Sequence, residues 1–320
     1  MTTEKKHASL SVIAASYLGP SLSPNEDLPW DEASLPLNCD ELVQKVLGQP
    51  MRRAGRFIKM VCSGAMACLK QVPPETLQNK KTGIFLATGL GNGDEILPFV
   101  TQVFKHDGGF PSPNQFANSV SNAAAFFLAR LCDVKGVILT VSDEEISFES
   151  ALWLAQSCLE SGEIDLALVG GCDVYTPTIE EYRERMNALP ANSRELPIGE
   201  GSSWLLLGMD QPESIGDILA VQIDSQRITP DEYLKSNHFP VASMNVADMG
   251  SRLWLPGFRV KSPDAPQNLQ TYDYLLHCGI HPTAAAFGLA HAMRKNPSSL
   301  LLHYNCLASG KTAIVVARMK

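Results

Sequence analysis

Residues 136–172 read "GVILTVSDEEISFESALWLAQSCLESGEIDLALVGGC", and this stretch decides the fold. Its two ends, "GVILTVS" (136–142) and "DLALVGGC" (165–172), are continuous apolar runs, which are typical of strands covered on both faces. Gly162 marks the end of a helix between them. The helix has apolar residues at helical spacing, namely Ile146, Ala151, Leu152, Ala155, Cys158 and Leu159. A strand, a helix and a strand in succession predict a layered α/β fold with a mostly parallel sheet.

The same alternation extends over the rest of the chain. Further strands are predicted at 10–18, 82–90, 202–209 and 217–225, and helices at 56–70, 94–105, 119–131 and 146–161. Residues 226–270 are rich in Pro, Asn, Ser and Asp and carry few periodic signals. Helix and strand patterns return after this segment. We therefore predict one compact unit with two halves, residues 1–211 and a shorter half at 212–320.

The composition limits the classes of function. The chain has 320 residues, a net charge of −8 and no basic stripe, so we expect no nucleic-acid partner. No segment reaches the roughly 18 apolar residues that cross a bilayer, and the N-terminal residues favour a first strand over a signal peptide. The eight cysteines lack CxxC spacing. Free thiols of this kind indicate a reducing cytoplasm, with no disulfide framework and no zinc site.

The junction at 142–147, "SDEEIS", places three consecutive carboxylates where the strand turns into the helix. Ser142 and Glu145 match a capping box, in which each side chain would bind a backbone N–H of the first turn. Asp143 and Glu144 would lie in that turn, where the helix dipole favours anions. The residues alone therefore predict a well-capped helix start at this elbow.

Two other motifs carry weak signals of a binding site. "GLGNGD" (89–94) has Asp94 where the dinucleotide fingerprint needs its third glycine, so a tight turn is favoured. His277 and His281 have the spacing of two metal ligands on one helix face, but no cluster of further ligands accompanies them. The chain also lacks a GxSxG elbow. We therefore expect no cofactor and no bound metal.

The opening stretch resembles the β-ketoacyl synthase branch of the thiolase fold. The markers of the resemblance are Gly136, Ala155, Gly162, Asp165 and the pair Gly170-Gly171. In that family the strand ends at a catalytic cysteine on the N-terminus of a buried helix. The resemblance implies a thiolase-like layered α-β-α-β-α fold from two related halves, the second shortened. An ungapped register puts Glu145 at the position of the nucleophilic cysteine.

Four other segments are similar to family motifs. They are "PSPNQFANSVSNAAAFFLARL" with Asn122 at the family's Asn, "IGEGSSWLLLG" (198–208), "GIHPTAAAFGLAHAM" with His281 at one active-site histidine, and "NCLASGKTAIVV" (305–316). The "HGTGT" motif that supplies the other histidine is absent from the sequence. The resemblance therefore implies that His281 is a vestige of the family's Cys-His-His set.

A carboxylate is a far poorer nucleophile toward thioesters than a thiolate, so condensation by this chain alone is not expected. In the family, subunits without the cysteine pair with an active ketosynthase and are called chain-length factors. The resemblance implies such a heterodimer in type II polyketide, polyene or fatty-acid-like biosynthesis, with acyl carrier protein docking mainly on the partner. Two alternatives stay open. One is a stand-alone acyltransferase, hydrolase or decarboxylase that uses Ser142, Glu145 or His281, and the other is a homodimeric scaffold.

Overall fold

The structure is a computed structural model, and it describes residues 9–105, 112–176, 196–235, 251–257, 259–260, 266 and 269–320. Its centre is a sheet whose ten strands follow the order β3-β2-β4-β5-β1-β6-β10-β9-β7-β8. The strands are β1 Leu10–Ser16, β2 Thr82–Ala87, β3 Ile138–Val141, β4 Leu166–Asp173, β5 Gly201–Met209, β6 Gly216–Asp224, β7 Arg252–Pro256, β8 Gln270–Thr271, β9 Leu300–Cys306 and β10 Thr312–Met319.

Nine α-helices lie within the described residues. They are α1 Cys39–Leu47, α2 Arg56–Leu69, α3 Gly93–Lys105, α4 Pro113–Ser119, α5 Ala123–Cys132, α6 Ser147–Glu160, α7 Pro230–Lys235, α8 Leu275–Cys278 and α9 Ala284–Lys295. The α/β fold is confirmed, and each strand predicted in the first two thirds of the chain is present with its bounds shifted by a few residues. None of the described helices is long and apolar enough to cross a membrane.

The strand order repeats itself about the centre of the sheet. Strands β1 to β5 occupy one side in the order β3-β2-β4-β5-β1. Strands β6 to β10 occupy the other side in the order β6-β10-β9-β7-β8, which is the corresponding order read in reverse. The two sides meet where β1 pairs antiparallel with β6. This repetition is what two related halves produce. The proposed division at residues 211 and 212 falls between β5 and β6.

Helices α6 and α9 form the central layer of the fold. Helix α6 packs against β2 and β4 of the first half and against β6 and β10 of the second, while α9 packs against β5 and β1. Helices α1, α2 and α5 cover the other face of the first half, and Tyr233 of α7 packs on the second. Apolar runs in these strands thus contact helices on both faces.

Strand β3 departs from the predicted burial. Its apolar run was expected to be covered on both faces, but Ile138 and Leu139 are 38% and 37% exposed. The reason is the position of the strand, because β3 is the first strand in the sheet order and, among the described strands, pairs only with β2. The apolar run therefore marks an edge of the sheet rather than its interior.

Candidate functional site

The elbow between β3 and α6 places Glu145 inside the protein. Glu144 has a φ of 50°, in the left-handed region that non-glycine residues seldom adopt, and the next residue, Glu145, is only 3% exposed. Helix α6 then begins at Ser147. The sharp turn thus points residue 145 toward the central layer, as the register with the family's cysteine requires.

The predicted capping box is wrong. The residue before α6 is Ile146, and no side chain caps the helix through a hydrogen bond. Ser142 is exposed, and the Ser147 hydroxyl instead donates to the Glu144 carbonyl over 2.6 Å. Asp143 also lies outside the helix and pairs with Lys311 over 2.6 Å. The local pattern failed because the side chain of Glu145 has a partner far away in the sequence.

That partner is Arg259, in the loop after β7. Its guanidinium donates to Oε1 of Glu145, and the two side chains are 10% and 4% exposed. Residues 226–270 are where the family's second histidine was sought, and in this chain that region supplies a cation instead. A buried carboxylate in an ion pair with a guanidinium is held in place and charge-compensated.

A second buried carboxylate lies one turn along α6. Glu149 is fully buried, and its Oε1 lies 2.6 Å from His303 Nε2 and accepts a hydrogen bond from Asn305 Nδ2 over 2.9 Å. The other ring nitrogen of His303 donates to the Leu255 carbonyl over 2.8 Å. Both nitrogens are therefore committed to internal partners, and neither is free to act on a substrate.

Asn305 connects the Glu149 carboxylate with the backbone of the elbow. Its Nδ2 also donates to the backbone carbonyl of Glu145 over 2.7 Å, so strand β9 fastens the elbow from the second half of the fold. Sequence analysis missed Arg259, Glu149, His303 and the role of Asn305. One signal for them exists: an acid four residues after Glu145 shares its helix face, and a histidine interrupts the apolar run 300–304.

His281 lies at the matching junction of the second half, between β8 and α9. It is 2% exposed, and its Nδ1 is 3.4 Å from Thr283 Oγ1 and 3.9 Å from Asp173 Oδ2. Its Nε2 has no hydrogen-bond partner among the described residues. The following residue, Pro282, and the carbonyl of Glu144 both lie against Gly89. The two elbows are therefore brought to the same region, and His281 has the one uncommitted imidazole nitrogen found there.

Asp173, at the end of β4, fixes the loops around these elbows. Its Oδ1 accepts from the Thr88 hydroxyl and from the backbone N–H groups of Gly89 and Leu90, all within 3.0 Å. Its Oδ2 accepts from the N–H and the hydroxyl of Thr283 within 2.9 Å. The glycine-rich segment 89–94 therefore directs N–H groups at a carboxylate of the protein itself, in agreement with a tight turn.

The remaining candidates lie away from Glu145. Asn122 is exposed at the start of α5. His277 is exposed and forms a group with Asp27 and His291 instead of with His281. Burial raises the pKa of Cys172 well above its ordinary value, which keeps it a thiol. Among the described residues, the cysteines are all free, and the elbow itself contains none.

A second feature is an exposed apolar surface beside the β3 edge, which we call the edge face. Helix α3 is amphipathic but contains no buried residue, and Phe104 at its end is 78% exposed. Helices α4 and α5 contribute Phe116 and Phe126, each 56% exposed. The complete edge face consists of Leu97, Val100, Phe104, Phe116, Val120, Phe126, Ile138 and Leu139. Exposed apolar residues next to an edge strand are typical of protein interfaces.

Comparison with known proteins supports the resemblance read from the sequence. The family model of the β-ketoacyl synthase N-terminal domain matches residues 37–202. No curated protein sequence matches the chain. Among solved structures, the chain is similar to the ishigamide ketosynthase/chain length factor, with a TM-score of 0.74 and 15% identity over 98% of this chain and 99% of that one.

Two further solved structures share the fold at similarly low sequence identity. A β-ketoacyl synthase from Burkholderia phymatum STM815 gives a TM-score of 0.71 at 12% identity, over 98% of this chain and 100% of that one. A type II polyketide synthase acyl-carrier protein in complex with its ketosynthase gives 0.69 at 12% identity, over 98% and 100%. At such identities the likeness describes the fold.

Proposed function

Because the chain belongs to the β-ketoacyl synthase family, we propose that it is a non-catalytic subunit of the chain-length-factor type. In this role it pairs with an active β-ketoacyl synthase in type II polyketide, polyene or fatty-acid-like biosynthesis and contributes to the wall of the acyl tunnel. The nucleophile comes from the partner. Acyl carrier protein docks mainly on that partner.

The observation that carries the proposal is the Glu145–Arg259 pair at the elbow. Condensation starts with attack of a thiolate on an acyl thioester, and the proposed nucleophile position has a carboxylate instead. Arg259 neutralises this carboxylate, and Asn305 holds its backbone. A group fixed in this way stabilises the elbow but does not attack a thioester. His303 is likewise excluded as a base by its two internal partners.

The edge face supports the pairing. An edge strand offers a row of unpaired N–H and C=O groups, and an apolar strand of this kind favours addition of a second sheet. Ketosynthases dimerise by joining their sheets across a two-fold axis, so a related subunit can take the place of one copy. The exposed phenylalanines of α3, α4 and α5 would flank that junction. A cytoplasmic location fits the eight free cysteines.

Co-expression with an active type II ketosynthase from the same organism tests the proposal. We expect the two chains to co-purify as a heterodimer, and we expect chain extension to need both chains and to survive Glu145→Gln. Replacement of the catalytic cysteine of the ketosynthase by alanine should abolish all activity. A chain that purifies alone as a stable monomer, and leaves the ketosynthase fully active without it, would refute the proposal.

A second candidate function rests on His281. Its buried, unpartnered Nε2 is the feature expected of a general base in a stand-alone acyl-thioester hydrolase. The isolated chain would then cleave acyl thioesters, and His281→Ala would abolish this activity while the chain stays folded. If the isolated chain shows no thioester turnover and the heterodimer forms, the results favour the non-catalytic subunit. A stable homodimer with no ketosynthase bound would instead indicate the scaffold.

A further inference from the structure

Three potential metal ligands meet near the surface of the protein. Asp27 comes from the loop after β1, His277 from α8 and His291 from α9, and one ligand atom of each lies within 4.8 Å of the others. His277 and Asp27 are exposed, while His291 is only 4% exposed. His291 lies roughly 10 Å along α9 from the helix start near His281. The cluster is therefore separate from the elbow region.

The ring of His291 is held in a fixed orientation. It stacks on Phe287 at a centroid distance of 5.3 Å and meets the ring of Tyr17 edge-on at 4.6 Å. Its Nδ1 is 2.6 Å from the Tyr272 hydroxyl, and its Nε2 points at Asp27 Oδ1 over 2.8 Å. At metal sites, a neighbouring group usually forms a hydrogen bond with the second ring nitrogen of a ligating histidine and so fixes the ring orientation. His291 has this arrangement.

We propose that Asp27, His277 and His291 form a binding site for a divalent transition metal, with Zn²⁺ as the best fit. Two imidazoles and one carboxylate are ligands that Zn²⁺ accepts, and the exposure of His277 and Asp27 leaves a fourth position for water. The metal replaces the proton shared by His291 Nε2 and Asp27 Oδ1, and Tyr272 then accepts from Nδ1–H. His281, the i+4 neighbour of His277, is not a ligand.

Lys295 is the charged group that opposes the metal. Its Nζ lies 2.7 Å from Asp27 Oδ2, so the other oxygen, Oδ1, is the one that faces His291. Lys295 thus orients the carboxylate for monodentate binding while its charge weakens the affinity. Metal binding would fasten the loop after β1 to α8, where Trp30 Nε1 already donates to the Leu276 carbonyl over 3.2 Å.

Titration of the metal-stripped full chain with Zn²⁺ alone, followed by calorimetry and thermal unfolding, tests the site. We expect one equivalent to bind and to raise the Tm. His277→Ala and Asp27→Asn should each weaken binding by at least about tenfold, whereas Glu26→Gln, a matched change one residue away, should not. His277 is exposed, so the Tm of metal-free His277→Ala should equal that of the wild type. Asp27 also pairs with His291 and Lys295, so the Tm rise of Asp27→Asn on adding Zn²⁺ is measured against the metal-free form of the same variant.

Co²⁺ used in place of Zn²⁺ identifies the ligands. We expect weak visible bands of nitrogen and oxygen ligation that disappear in His277→Ala. An intense near-ultraviolet thiolate band that persists in this variant would place the ion on cysteines and overturn the proposal. The absence of saturable binding, or equal affinity in the wild type and in both ligand variants, would also overturn it. None of these results depends on partner binding or on turnover.

Discussion

The two halves of the sheet share a strand order but differ at their outer ends and at their elbows. The first half ends in β3, whose exposed apolar residues continue into the edge face, whereas the second ends in β8, a strand of two residues, Gln270–Thr271. The first elbow holds the paired Glu145, and the second holds His281 with one uncommitted nitrogen. One half thus has the exposed apolar edge, and the other has the buried histidine with an unpartnered nitrogen.

The loops that follow the equivalent strands β2 and β7 differ as well. The loop after β2 is fixed by Asp173, which also fixes the start of α9. The loop after β7 instead delivers Arg259 to the elbow of the first half. Each half therefore stabilises the elbow of the other, and mutations can separate these contributions.

The largest effect is expected from Asp173→Ala. This change leaves three N–H groups and two hydroxyls without their acceptor, and each group that is buried, as at Thr88 and Thr283, costs about 1–3 kcal/mol when unsatisfied. We expect a loss of more than about 4 kcal/mol in the free energy of unfolding, measured by chemical denaturation. The control, Glu213→Ala, removes an exposed carboxylate and should stay within about 0.5 kcal/mol. Equal losses in the two variants would refute the role of Asp173 in joining the halves.

Arg259→Met is expected to have the next largest effect. It leaves the buried Glu145 without its cation, and breaking a buried pair by removing one partner costs about 3–5 kcal/mol. Glu145→Gln in the same chain should recover most of the loss, since the remaining amide carries no charge. The measurement is a double-mutant cycle of unfolding free energies. Additive losses would mean that the two side chains do not interact.

Leu139→Lys tests the difference between the two sheet ends. A charge on the β3 edge should weaken binding to the co-expressed ketosynthase by at least about tenfold, or about 1.4 kcal/mol, with little change in Tm. Thr271→Lys places the same charge on β8 and should leave binding unchanged. Affinity is measured with the purified chains by surface plasmon resonance. Equal weakening by both substitutions would contradict an interface at β3.

The smallest effect concerns Glu200, which accepts hydrogen bonds from the backbone N–H groups of Leu37 and Tyr175 and pairs with Arg56. Burial raises the pKa of Glu200 above its ordinary value, against the opposing charge of Arg56. The native state therefore holds this proton more tightly than the unfolded state does. Its contribution to stability is complete at pH values below the unfolded pKa and is lost as the pH rises through the native pKa.

The measurement compares wild type with Glu200→Gln between pH 4 and 7. The free energy of unfolding of the wild type, minus that of the variant, should decrease as the pH rises, because only the wild type must ionise a buried carboxyl. An increase with pH would show that pairing with Arg56 outweighs burial. Lys235→Gln, a change on exposed α7, serves as the control for general charge effects.

The sequence predicted the strands and the elbow because continuous apolar runs, bounded by Gly162 and by Gly170-Gly171, are local signals. It failed where partners are distant. No local pattern connects Glu145 with Arg259, or Glu149 with His303, so a helix cap was predicted in place of a buried network. It also predicted cover on both faces for β3, because an apolar edge strand has the same sequence pattern as an interior strand.

The segment 226–270 gave little periodic signal for a physical reason. Its strands β7 and β8 are short, and α7 has only six residues, too few to establish a pattern. Other parts of this segment lie outside the described residues. Helix α4 was missed for the same reason of length.

The central position of β1 has a consequence for synthesis of the protein. Leu10 pairs with Met209 on one side and with Ile218 on the other, so both neighbours of this strand are translated roughly two hundred residues later. The nascent strand is apolar and unpaired during that interval. Productive folding at the ribosome should therefore depend on a chaperone that shelters this segment, and starting translation from a circularly permuted gene that places β1 after β5 should reduce that dependence.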